Sequence, residues 1–121
     1  MVTVSEPGFY ESYADPDGFF DDEPRQEGYV YLQVFVEYEA LADSASFNTF
    51  DWQVFADGRL LDSFAYAVNG PQPDLGSGRL PAGRTASGWL LYEVPPQGEI
   101  VLAYAPNFDG PPVFEIQLRA S

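Results

Sequence analysis

Apolar and polar side chains alternate along much of this chain, most regularly in residues 28–40, GYVYLQVFVEYEA. There Val30, Leu32, Val34, Val36 and Tyr38 share one face of an extended strand, and Tyr31, Gln33, Phe35, Glu37 and Glu39 share the other. The stretch is rich in Val, Tyr and Phe and contains no Pro, so it predicts a central β-strand of roughly 43 Å if regular. Other segments predict neighbouring strands. Residues 2–4 begin one that resumes at 9–13 after Pro7-Gly8, and residues 49–56 carry Phe50, Trp52 and Val54 on one side. Asp57-Gly58 is the strongest short hairpin signal, with residues 59–64 returning from it. Residues 85–94 set Leu90, Tyr92 and Val94 against Trp89, Leu91 and Glu93; residues 99–104 and 113–119 complete the pattern, the last with Phe114, Ile116 and Leu118 inward. Residues 42–48 read as a loop, 65–83 as a long irregular connection with at most one short strand near residues 64–68, and Asp109-Gly110 as a turn.

No window shows helical periodicity. About seven short strands separated by turn signals predict an all-β fold, an antiparallel β-sandwich. Its core is expected to join Leu32, Val34, Val36, Trp52, Leu90, Tyr92, Phe114, Ile116 and Leu118 in one cluster. With 121 residues the chain is long enough for one core and short for two, so a single domain over residues 1–121 is expected.

Charge changes the picture. Nineteen Asp and Glu against five Arg, with no Lys and no His, give a net charge of −14. Nucleic acid and anionic lipid surfaces are repelled by such a chain, which leaves protein or cell-surface partners of neutral or cationic character. An acid excess of this size also suits a high-salt environment. The lack of Cys excludes disulfides, thiol catalysis and thiolate metal sites. No apolar run is long enough to span a bilayer, and residues 1–8 have neither the basic nor the apolar region of a signal peptide. The expectation is therefore either a cytosolic protein with Met1 as its native start, or a fragment of an exported chain without its export signal.

Two constellations are candidates for binding. Residues 14–27 form an acidic loop interrupted by Pro16, Gly18 and Pro24, in which Asp15, Asp17, Asp21, Asp22 and Glu23 offer the oxygen ligands that calcium requires. The loop does not follow the twelve-residue calcium pattern: counted from Asp15, Phe20 stands where Gly is needed and Gln26 where Glu is needed. A solvated loop is the simpler reading, and no cofactor other than calcium is suggested. Tyr29, Tyr31 and Phe35 lie on the face opposite Val34, and Trp89 opposite Leu90. These rings form either a platform for a ligand such as a glycan or packing for a second layer.

Catalysis is not expected. Without His, Cys or Lys the common bases and nucleophiles are missing, and a Ser has nothing to activate it. Gly76-Ser77-Gly78 is not a nucleophile elbow and reads as a flexible loop. A carboxylate pair suffices for glycoside hydrolysis, but among nineteen acids a close pair carries no information.

The run LPAGRTASGWLLYEVPP at residues 80–96, followed by EIVLAYAP, resembles a domain family found on Gram-positive and archaeal lipoproteins, within the immunoprotective extracellular, immunoglobulin-like superfamily. GYVYLQVFVEYEA resembles that family's Tyr-Val-x-Val-x-Val strand, and FDWQVFADGRLLDS its Phe-x-Phe-x-Val-x-Asp-x-x-Gly hairpin. The likeness covers residues 28–118; EALADSASFN departs from the family's Asn-rich turn. It implies an immunoglobulin-like sandwich acting as a non-catalytic, surface-anchored module, and it transfers no functional residue.

Overall fold

The alternating stretch forms β2 (Val30–Glu39), with the inner face of Leu32, Val34, Val36 and Tyr38 buried as the pattern requires. The computed structural model describes residues 1–61, 64–106 and 110–120. Along its whole length β2 pairs antiparallel with β7 (Thr85–Val94), from Val30 opposite Val94 to Glu39 opposite Thr85. Its other edge pairs with β1 (Val2–Tyr10). Within β1 the register shifts between Ser5 and Gly8 where Glu6 takes a left-handed φ of 50° before Pro7. Pro7 lacks an N–H, so the irregularity blunts this exposed edge.

The facing sheet is ordered β5-β4-β8-β9, from β4 (Trp52–Ala56), β5 (Arg59–Leu61), β8 (Ile100–Tyr104) and β9 (Phe114–Arg119). The two sheets make an antiparallel β-sandwich. Asp57 and Gly58 join β4 to β5 with φ of 48° and 83°, the pair of positive values that lets a two-residue turn follow strand twist. That turn is tied onward: the Asp57 N–H donates to the Glu99 carbonyl, and the Glu99 N–H donates to Asp57 Oδ1, both at 2.9 Å. Across the same end, the Arg119 guanidinium donates to the carbonyls of Pro95, Pro96 and Gly98 and stacks 4.7 Å from the Phe9 ring centre.

Two expected loops contain strands. Residues 45–48 are β3 (Ala45–Asn48), paired with β6 (Ser77–Leu80) in a separate ribbon, so Ser77 and Gly78 are strand residues, not a flexible loop. This raises the count to nine strands among the described residues. A second departure concerns Phe50. Asn48 Oδ1 accepts the Phe50 N–H and caps a 3₁₀ turn at Thr49–Asp51, which breaks the alternation and swings Phe50 outward while Trp52 stays buried. The Asp109-Gly110 turn falls partly outside the described residues.

Between the sheets, Leu32, Val34, Val36, Trp52, Leu90 and Tyr92 belong to one buried cluster, with Phe114 and Leu118 packed against it. Ile116 is half-buried, because β9 is an edge strand. Among the described residues no helix is long and apolar enough to cross a membrane.

The outer edge of β7 lacks a full strand partner and is covered in two places. Ala65 N–H donates to the Leu91 carbonyl at 2.9 Å; further on, Trp89 N–H donates to the Pro73 carbonyl at 2.9 Å and Leu75 N–H to the Trp89 carbonyl at 3.2 Å. The second crossing passes directly over Gly88, where a Cβ would lie 2.5 Å from the Leu75 N and Cα. Any side chain there must displace backbone. Gly88→Ala is expected to cost about 2–3 kcal/mol, read as a fall in the denaturant midpoint with an unchanged slope; an unaltered midpoint would mean that the crossing is not held there.

Candidate functional site

Between its two crossings of the β7 edge the chain makes an outward excursion, and this leaves a groove of about 640 Å³ against the outer face of the strand. Phe50 from the 3₁₀ turn, Tyr66 from the excursion and Trp89 from β7 all line it, together with Pro73 and Asp74. Phe50 is 71% exposed and Tyr66 74%. Trp89 is half-buried and packs edge-on against Phe35, with ring centres 5.2 Å apart. Phe64 anchors the excursion: its ring lies 4.9 Å from that of Tyr92 and 5.5 Å from that of Phe50. A smaller pocket of about 240 Å³ shares Phe64, Ala65 and Tyr66 and adds Arg25, Gln26 and Glu93.

The acidic loop is built, not merely solvated. Asp15 accepts three backbone N–H groups, from Asp17 at 2.9 Å, Phe19 at 3.2 Å and Phe20 at 3.0 Å, while Asp21 Oδ1 accepts the Asp15 N–H at 2.9 Å. These amides hold the Asp15 carboxyl below its ordinary range, Asp17 and Phe20 foremost. Asp22 pairs through its backbone with Tyr13 and turns its side chain, 9% exposed, toward the excursion. There its carboxylate accepts Val68 N–H at 3.1 Å and Asn69 N–H at 2.7 Å, and Asn69 Nδ2 donates back to the Phe20 carbonyl at 3.2 Å. Asp15, Asp17, Asp21, Asp22 and Glu23 are therefore not gathered around one point; among the described residues no three acidic side chains converge as a cation site requires.

Of the aromatic candidates, Trp89 lines the groove and Phe35, its partner on β2, packs beside it. Tyr29 is half-buried ahead of β2 and lines neither hollow. Tyr31 is not a platform: it is 1% exposed, because Tyr13 stacks over it at 4.9 Å as the acidic loop folds across that face. The Tyr13 hydroxyl donates to Gln33 Oε1 at 2.7 Å and fixes the lid. Periodicity grouped Phe50 with Trp52 and Val54, not with the site, and gave no place to Tyr66, since one sits on a capped turn and the other in a Pro- and Gly-rich connection.

A second polar cluster closes one end of the sandwich. Trp52 Nε1 donates to the Tyr38 hydroxyl, which donates to Asp51 Oδ2, both at 2.9 Å, and the Asn48 N–H adds to the same carboxylate oxygen at 3.1 Å. Every donor there has its acceptor, so the cluster serves packing. Burial pushes the Tyr38 hydroxyl above its ordinary range, helped by its bond to Asp51; burial alone does the same at Tyr92, and burial with Tyr10 and Tyr31 nearby does so at Tyr13. These hydroxyls therefore stay protonated at neutral pH.

No protein-family model and no curated protein matches the sequence. In solved structures the chain is similar to a Bacillus subtilis protein, ycdA, provisionally described as a lipoprotein: the match covers 96% of this chain with a TM-score of 0.63 and 15% sequence identity. It takes up 35% of that chain, so the present sequence spans about a third of its neighbour's length. At this identity the likeness shows the fold alone.

Two predictions follow from these contacts. Asp22→Ala removes both acceptors from the Val68 and Asn69 amides at a cost of about 2 kcal/mol, and hydrogen exchange at those two amides should accelerate well beyond the change in the β2 amides. Equal acceleration everywhere would show that Asp22 does not act locally. The buried tyrosines set the alkaline limit. In the unfolded chain they ionise near pH 10, whereas in the fold they keep their protons, so above that pH the native state binds more protons and stability falls as pH rises. Ultraviolet titration should show Tyr13, Tyr38 and Tyr92 ionising together with loss of circular dichroism; their smooth ionisation in a folded protein would contradict the buried assignment.

Proposed function

We propose that this chain is a non-catalytic, immunoglobulin-like module of an exported prokaryotic lipoprotein, and that it presents the groove beside β7 to a partner outside the cell. The carrying observation is that Phe50, Tyr66 and Trp89 converge on one groove, where the described lining residues include Asp74 but no nucleophile paired with a base. Two further observations support the compartment. The structural neighbour is described as a lipoprotein, and the three motifs that resemble lipoprotein-borne domains lie in order on β2, the β4–β5 hairpin and β7–β8. The module works without a cofactor, and the acidic carboxylates serve as acceptors for loop amides and as a source of negative field.

A glycan is the second reading, favoured by Gln72 and Asp74 beside Trp89 and Tyr66 in the same groove. Rings for stacking with polar groups at their rim suit a sugar face.

Location is tested on source cells with an antibody against this domain. The protein is expected in the membrane fraction and should be removed when intact cells are treated with protease. A protease-protected cytosolic pool would overturn the exported assignment.

A further inference from the structure

We propose that the groove beside β7 and the pocket adjoining it bind an extended, cationic polypeptide segment. The proposal rests on reading the chain as an interaction module and names the partner's chemistry. Shape is the first argument. The two hollows adjoin one another on either side of Phe64, Ala65 and Tyr66, and two hollows in line suit an extended chain better than a compact small molecule. The partner does not add as a strand at this place, because the β7 edge already exchanges hydrogen bonds with Ala65, Pro73 and Leu75. It is held by side chains.

The rings supply one half of that recognition. Phe50 and Tyr66 project from the surface and Trp89 lines the same groove from β7, and ring faces of this kind attract ammonium and guanidinium groups. Charge supplies the other half and decides among ligand classes. Asp74 is exposed in the groove and Glu93 lines the smaller pocket. The bonds from Val68 and Asn69 to Asp22 hold the acidic loop beside the excursion, bringing Asp15, Asp17 and Asp21 into its neighbourhood. Among the described lining residues Arg25 is the one cation. In a chain of net charge −14 an anionic polymer is repelled from this place, and a neutral glycan gains nothing from the field. A Lys- or Arg-bearing segment gains at long range from the field and at contact from the rings.

The test uses the 121-residue chain and its own fluorescence, since Trp52 is buried and Trp89 lines the groove. The probe is a synthetic decapeptide of alternating Lys and Pro, set against an alternating Glu-Pro decapeptide and chitohexaose. Saturable binding of the Lys-Pro probe is expected, weakening about tenfold as salt rises from about 0.03 M to about 0.3 M. Tyr66→Ala and Asp74→Asn should each weaken it about fivefold at an unchanged melting temperature. Absence of saturable binding, binding by both variants as tight as that of the unsubstituted chain, or tighter binding of chitohexaose would each overturn the proposal. A surface-exposed domain that ignores the probe fails this inference and leaves the exported module standing; a cytosolic domain that binds the probe does the reverse.

Discussion

An edge strand that is apolar on both faces is the constraint on which the rest of this molecule depends. β7 puts Leu90, Tyr92 and Val94 into the core and Trp89 and Leu91 on its outer face, while β2 satisfies only one of its two hydrogen-bonding edges. Left open, the other edge would be a template for pairing with further chains. The chain covers it with its own backbone, at residues 64–65 and again at 73–75, and the second crossing comes so close that Gly88 has no room for a Cβ. The excursion between the crossings is then free of the sheet, and the groove is the space it encloses. The candidate site is thus a consequence of how an edge was closed.

The acidic loop is coupled to the same excursion. With five Arg in the whole chain, ion pairing cannot absorb nineteen carboxylates, and several are used instead as acceptors for backbone amides. Asp15 organises its own loop, Asp57 joins two turns and Asp51 ends the 3₁₀ turn while receiving Tyr38. Asp22 differs because its amide partners belong to another segment, Val68 and Asn69. A carboxylate sheltered from water and facing two N–H dipoles is worth more than one on an open loop. One acid therefore holds two otherwise irregular segments together, and the outer face of β2 is sealed beneath them at Tyr31.

The sequence made the long strands legible and the short ones obscure, for physical reasons. β2 and β7 run for ten residues each, enough turns of a two-residue period for the buried face to be read directly. The Asp57-Gly58 turn was legible because few dipeptides tolerate two positive φ values. β3 and β6, Ala-Ser-Phe-Asn and Ser-Gly-Arg-Leu, are four residues each with no β-branched side chain, and they exist because they pair with one another. Gly78 in the second is packed against Phe47 in the first, with the ring 2.9 Å from where its Cβ would be, so the glycine that resembled a loop residue is a packing residue. In the site, Trp89 could be placed from its strand. Phe50 and Tyr66 could not, since their exposure is set by a capped turn and by a loop whose path depends on β7.

Exposed rings do not by themselves call for a function, because folded surfaces carry many apolar atoms. The arrangement here is more specific. Phe50 and Tyr66 come from segments separated in sequence and contribute little to the buried cluster, yet both line the groove floored by Trp89. Each is backed by further contacts: Phe64 packs against Tyr92, Trp89 lies edge-on beside Phe35, and residues 68–69 are held by Asp22. Contacts of this kind restrict the segments that carry exposed side chains, and such restriction in general lowers the ordering cost of any binding event.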